Sequence, residues 1–197
     1  MTSSHHPVQL HIEKVAGIPR VHIVIRLALL LALGAIGCSS VYWALYLALP
    51  ALVAAALLHK GGERYLAVDG PRIVRGLRWL ASAYAYLWLL SDVLPTAEAG
   101  PVDLRIDMAG APTPRSALLR LLWSLPALLL VAVLSAASAV LWVVAAVWIL
   151  VTEHMPPAIA EFLSLTLRVE LRLIAYHLSL VERYPSLENS TVVHAAA

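Results

Sequence analysis

The sequence predicts an all-α integral membrane protein made of two parallel repeats. Each repeat is expected to hold a strand, a transmembrane helical hairpin and an interfacial amphipathic helix. That gives four transmembrane helices and a small two-stranded cytoplasmic sheet. Three observations carry this expectation. Leu27–Leu58 and Leu121–Thr152 are two charge-free blocks of 32 residues that start 94 residues apart. V-Q-L-H-I-E at Val8–Glu13 returns as V-D-L-R-I-D at Val102–Asp107, again 94 residues on. The stretch ending in Ala85-Tyr86 and Pro95 returns, 90 residues on, in Ala175-Tyr176 and Pro185.

Composition fixes the class. The chain has 197 residues, 61% hydrophobic and 13% charged. Soluble domains carry about 25% charged residues, and apolar runs of about 18 or more are membrane candidates. A formal charge of +2 of mixed sign argues against a nucleic-acid partner. The single cysteine, Cys38, rules out an internal disulfide or a multi-cysteine metal site. Ala35–Ser40 reads A-I-G-C-S-S, loosely like a lipoprotein cleavage box. The apolar character runs on past Cys38, so an ordinary membrane helix is the better account.

Each element follows from its local pattern. Val8–Glu13 and Val102–Asp107 alternate apolar and polar residues, as half-buried strands do. A short strand needs a ladder partner, so the two are expected to pair. Pro19-Arg20 and Pro114-Arg115 follow them. One helix of 32 residues would reach about 48 Å, against a bilayer core of about 30 Å. Each block is therefore expected to fold as a hairpin, bending near Gly37–Trp43 and near Ser135–Ser138, with a re-entrant hairpin as the alternative. Arg26 and Arg120, at the block edges, are expected to snorkel to headgroups.

All 14 Lys and Arg and all 12 Asp and Glu lie outside the blocks. The positive-inside rule then places the termini, strands and connections in the cytoplasm. The third element of each repeat has two possible forms. Leu163–Leu173 alternates like a strand, yet on a helix Glu161, Ser164, Arg168, Arg172, Ser179 and Arg183 share one face. The matching stretch Arg78–Leu90 does not alternate, so a helix in the interface plane is expected for both. The resulting division is repeat 1 over 1–95 (strand 8–13, hairpin 21–59, interfacial helix 71–94) and a linker over 96–101. Repeat 2 covers 102–185 (strand 102–107, hairpin 117–152, interfacial helix 161–183), and 186–197 form a tail.

No phosphate loop, nucleophile elbow, zinc-protease helix or dinucleotide turn is present. The acids lie outside the blocks and read as solvated surface charge, so no enzyme activity is expected. His59 and His154 stand at equivalent block ends as weak candidates for a haem or pigment; a helix C-terminal histidine is the plainer account, and no cofactor or metal is expected. Arg72, Arg75, Arg78, Arg168 and Arg172 form a basic stripe expected to face lipid headgroups or a partner. The expected role is a non-catalytic accessory or scaffolding subunit of a larger membrane complex. A small transporter or lipid-handling protein and a haem- or pigment-binding redox subunit are the alternatives. The expected partners are the bilayer and another membrane protein.

R-L-L-W-S-L-P from Arg120, the W-I-L-V-T run from Trp148 and A-Y-H-L-S-L-V-E-R-Y-P from Ala175 resemble a bacterial membrane family known as domain of unknown function number 4389. The first half resembles it less, lacking the R-x-x-W-x-x-P start and ending in Leu94-Pro95 instead of Tyr-Pro. The resemblance implies a bacterial membrane protein holding two tandem copies, the first degenerate, and no particular activity; with the hairpins and the charge placement, the expected location is the bacterial cytoplasmic membrane, multi-pass.

Overall fold

The computed structural model describes residues 6–12, 17–35, 38–94 and 102–185, with backbone alone for 33–43, 45 and 46. The expected linker 96–101 and tail 186–197 lie outside these, as do Ile36 and Gly37 of the first expected bend. Strand β1 (Val8–Ile12) leads to helices α1 (Arg20–Ala35) and α2 (Cys38–Lys60). A helical turn (Gly62–Arg64) and a π-helical turn (Tyr65–Asp69) run into α3 (Gly70–Leu87). Then come β2 (Val102–Ile106), α4 (Pro114–Trp123), α5 (Leu125–Thr152) and α6 (Pro157–His177).

The two strands do meet. They pair antiparallel, Val8 opposite Ile106, Leu10 opposite Leu104 and Ile12 opposite Val102. Val8, Leu10, Val102 and Leu104 point inward, as the alternation requires, while His11, Asp103 and Arg105 face out. The inner face packs on α3 and α6, joining Leu77, Ala81 and Ala85 to Leu163, Leu167, Leu171 and Leu173 in one core. An Arg78 guanidinium nitrogen donates to the Leu104 carbonyl at 3.2 Å and ties α3 to β2.

The second charge-free block overturns the hairpin. It does not bend at Ser135–Ser138; α5 runs unbroken for 28 residues. No Gly or Pro interrupts it there, and the Ser138 hydroxyl donates sideways to Thr166 Oγ1 at 3.0 Å. The break falls earlier, at Ser124, because Pro126 suits a first helical turn and cannot continue the helix before it. Leu121–Trp123 thus belong to α4, which Thr113 starts with a capping box: its side chain accepts from Ser116 N, and Ser116 Oγ accepts from Thr113 N. Among the described residues, one helix is long and apolar enough to cross a membrane, Leu125–Thr152; the apolar stretch Leu47–Lys60 is shorter. The molecule is mostly helical with one candidate span and a two-stranded sheet. Four transmembrane helices in two parallel repeats are not what the chain forms.

The expected interfacial helix 161–183 is also corrected. It is a helix as far as His177, but a core helix, with every residue from Val169 to His177 buried. The alternation of Leu163–Leu173 reflects burial around most of its circumference. α6 runs antiparallel to α5, with Thr166 against Ser138 and His177 Nε2 2.7 Å from Ser124 Oγ. Ile18, just before α1, and Ile23 of α1 dock at the far end of α5 on Ala145 and Ile149. There Ile18 N donates to Glu153 O at 3.0 Å, and Arg20 pairs with Glu153 at 3.0 Å on the surface. α2 packs on α4 through Val53, Ala54, Leu57 and Ala117.

Candidate functional site

Two helix ends are finished by the same device. α3 and α6 each stop in a turn whose key residue has positive φ, Leu89 (64°) and Ser179 (54°). Leu90 N donates to Ala85 O at 2.8 Å, and Leu180 N to Ala175 O at 3.1 Å. Leu89 N donates to Tyr86 O at 3.3 Å, and Ser179 N to Tyr176 O at 3.0 Å. These six-to-one and five-to-two bonds make a Schellman cap, with Ala-Tyr supplying both accepting carbonyls. A left-handed conformation at a non-glycine costs about 1–2 kcal/mol, so surrounding contacts must hold it.

An arginine supplies those contacts. The Arg26 guanidinium lies 4.3 Å above the Tyr86 ring, and that of Arg120 4.7 Å above the Tyr176 ring. Arg120 Nη1 donates to Tyr176 O at 2.8 Å and to Val181 O at 2.6 Å. Arg26 Nη2 donates to Ser91 O. A cation at a helix C-terminus also meets the negative end of the macrodipole. Both arginines are buried, Arg26 completely and Arg120 at 7% exposure. Their guanidinium groups turn inward onto carbonyls of the chain itself instead of extending out along the helix surface as expected.

The basic stripe divides. Arg72, Arg75 and Arg78 are exposed on α3, with Trp79 53% exposed beside them. Arg168 is half-buried and Arg172 wholly buried, so Arg172 faces neither lipid nor a partner. His59 and His154 are both exposed, and His154 Nδ1 sits 2.6 Å from the carbonyl of Thr152. Among the described residues, no group of three or more His, Cys, Asp or Glu could hold a metal ion.

Glu170 and His6 are buried titratable groups that escaped the sequence reasoning. Glu170 is a core residue of α6, not a solvated acid. Burial raises its carboxyl to about 7, opposed only by the Ser135 hydroxyl of α5. Its signal was present: Glu170 lies two positions from both Arg168 and Arg172, hence about 200° around the helix from the polar stripe. His6 is 2% exposed beside Arg172. Desolvation first, and then the Arg172 charge, lowers its imidazole to about 4. Nothing in the N-terminal sequence marks it, because its burial depends on distant residues.

The fold and these sites define a mostly helical protein with buried structural arginines and one helix fit to cross a bilayer. Residues 114–187 match the model of a family described as Domain of unknown function (DUF4389). The match opens at the first residue of α4 and takes in α5, α6 and the Arg120-capped turn. No curated protein and no solved structure matches the chain.

Proposed function

We propose that this chain is a non-catalytic accessory subunit, embedded in the bacterial cytoplasmic membrane and docked on another membrane protein. The observation that carries the reading is the bareness of α5: only 22% of its most apolar stretch is buried within the chain. Leu129, Val133, Val140, Val143, Val147 and Val151 are all more than half exposed along it. α1 adds Val21, Val24 and Leu31, each at least 60% exposed. An apolar surface on this scale marks a membrane or protein contact. At 1.5 Å per residue α5 is about 42 Å long, enough for a core of about 30 Å with tilt to spare.

Arg72, Arg75 and Arg78, with Trp79, would then meet anionic headgroups or an acidic partner on the cytoplasmic side. The buried charges support a structural role. Arg120 is spent on carbonyls of its own fold, and the Ser135 hydroxyl is what eases the charge of Glu170. The test is purification from native membranes in a mild detergent, with mass-spectrometric identification of what travels with the chain. A stoichiometric membrane partner is expected. A free monomer under every mild condition would count decisively against the proposal.

A further inference from the structure

The two arginine-capped turns differ in how completely the arginine is used. Arg120 serves two carbonyls, and none of its nitrogens is both buried and unpartnered. Arg26 serves the one carbonyl of Ser91, and its Nε and Nη1 are buried without a partner. Beside them lie Tyr86 Oη, which interacts with the Arg26 guanidinium itself, and His22 Nδ1, buried without a partner. His22 precedes Arg26 by one turn of α1, and its ring centroid is 6.1 Å from that of Tyr86. Four buried polar atoms thus gather around one ring, and no acceptor stands in hydrogen-bonding geometry at Arg26 Nε, Arg26 Nη1 or His22 Nδ1. A buried polar atom without a partner demands an explanation, commonly an ordered water or an ion.

The chemistry of the four atoms narrows the choice. The guanidinium offers only donors, the phenol offers one, and the imidazole offers one in its Nδ1-protonated form. The complementary group is rich in acceptors and negatively charged. Nε and Nη1 lie on different edges of the guanidinium, so their targets diverge. A tetrahedral oxyanion presents acceptors in several directions, whereas a carboxylate presents two in one plane. His22 is only partly buried, and its chain neighbour Val21 is exposed, so the cluster lies next to the molecular surface. Asp92 is the nearby opposing charge, and it interacts with Arg26 through space.

We propose that Arg26, His22 and Tyr86 form a binding site for a phosphate-type oxyanion, presented as a lipid headgroup phosphodiester or as free phosphate. The free-phosphate arm is independent of the membrane reading above; the lipid arm rests on it, so failure of one is distinguishable from failure of the other. The experiment is direct binding to the full chain in a neutral detergent. Inorganic phosphate, phosphatidylglycerol and diacylglycerol are titrated separately against the wild type, Y86F, H22A, D92N and R26Q.

Saturable binding of phosphatidylglycerol but not diacylglycerol is expected for a headgroup site, and binding of inorganic phosphate as well for a free-anion site. Y86F keeps the ring under Arg26 and removes one donor to a charged acceptor, so the dissociation constant should rise about tenfold. H22A should weaken binding in the same direction. D92N removes the competing carboxylate and should tighten it. R26Q should abolish it; if R26Q does not fold, Y86F and D92N decide. Failure of both phosphate and phosphatidylglycerol to bind the wild type would mean that water alone fills the cluster and would overturn the proposal. So would equal affinity in the wild type, Y86F and D92N.

Discussion

Replacing Glu170 with glutamine should stabilise the protein at alkaline pH and leave it unchanged in acid. The residue is 7% exposed, and the Ser135 hydroxyl is the neighbour that favours its charged form. Its ordinary value of 4.5 is raised to about 7. Below pH 4.5 the group is protonated whether the chain is folded or not, and it contributes nothing. Between 4.5 and 7 the unfolded chain gives up the proton while the folded one keeps it, so stability falls as pH rises. Above 7 the loss is complete, about 3 kcal/mol at roughly 1.4 kcal/mol per pH decade. Glutamine has the same shape and no charge to bury.

E170Q should therefore match the wild type at pH 4.5 and exceed it by about 3 kcal/mol at pH 8. For a chain of this size that is roughly 6–12 °C in melting temperature. The assay is unfolding in a mild nonionic detergent, followed by far-UV circular dichroism at both pH values. Equal stability at pH 8, or a less stable variant, would refute the argument. Either result would mean that Glu170 is solvated or that a cation reaches it.

His6 should act in the opposite sense. Its imidazole is held neutral down to about 4 against an ordinary 6.5, so stability falls as pH drops through that window. His6→Gln should flatten this acid-side fall in the same unfolding assay, whereas E170Q should steepen it between pH 4.5 and 6.5. Arg120→Gln leaves the carbonyls of Tyr176 and Val181 buried without their charged donor and should cost about 3–5 kcal/mol by denaturant titration. A loss under about 1 kcal/mol would show that water replaces the guanidinium. Gly62→Ala would place a Cβ 2.5 Å from the Pro112 carbonyl oxygen, a backbone atom. It should cost about 1–3 kcal/mol through displacement of the segment before α4, measurable as a lower melting temperature.

Part of this structure was legible in the residues. The period-two alternation of Val8–Ile12 and Val102–Ile106 specified strands with an inner and an outer face, and their number left each only the other to pair with. Comparison with Arg78–Leu90 correctly chose helix for Leu163–Leu173 against its own alternation. Block length could not distinguish a hairpin from one long tilted helix, because 32 apolar residues satisfy both. Pro126 was the local signal, and it marks where α5 begins.

The direction of Arg26 and Arg120 was not legible. A guanidinium at the edge of an apolar block snorkels or turns inward according to the acceptors within reach, and here those acceptors lie 61 and 65 residues away in sequence. Glu170 was misjudged for a related reason. Charge was assigned to the surface by residue type, while the helix phase that buries it was in view.

The antiparallel pairing of Val8–Ile12 with Val102–Ile106 has a consequence for biogenesis. At translation rates of about 5–20 residues per second, β1 waits roughly 5–20 s for its partner to leave the ribosome. Closing so long a loop is also entropically slow relative to forming helices. Throughout that delay α1, α2 and α3 emerge with no sheet to pack beneath, and β1 shows an unpaired edge. The sheet is therefore a late clasp, closed only after the first three helices have been made, and it joins residues from the two ends of the first half.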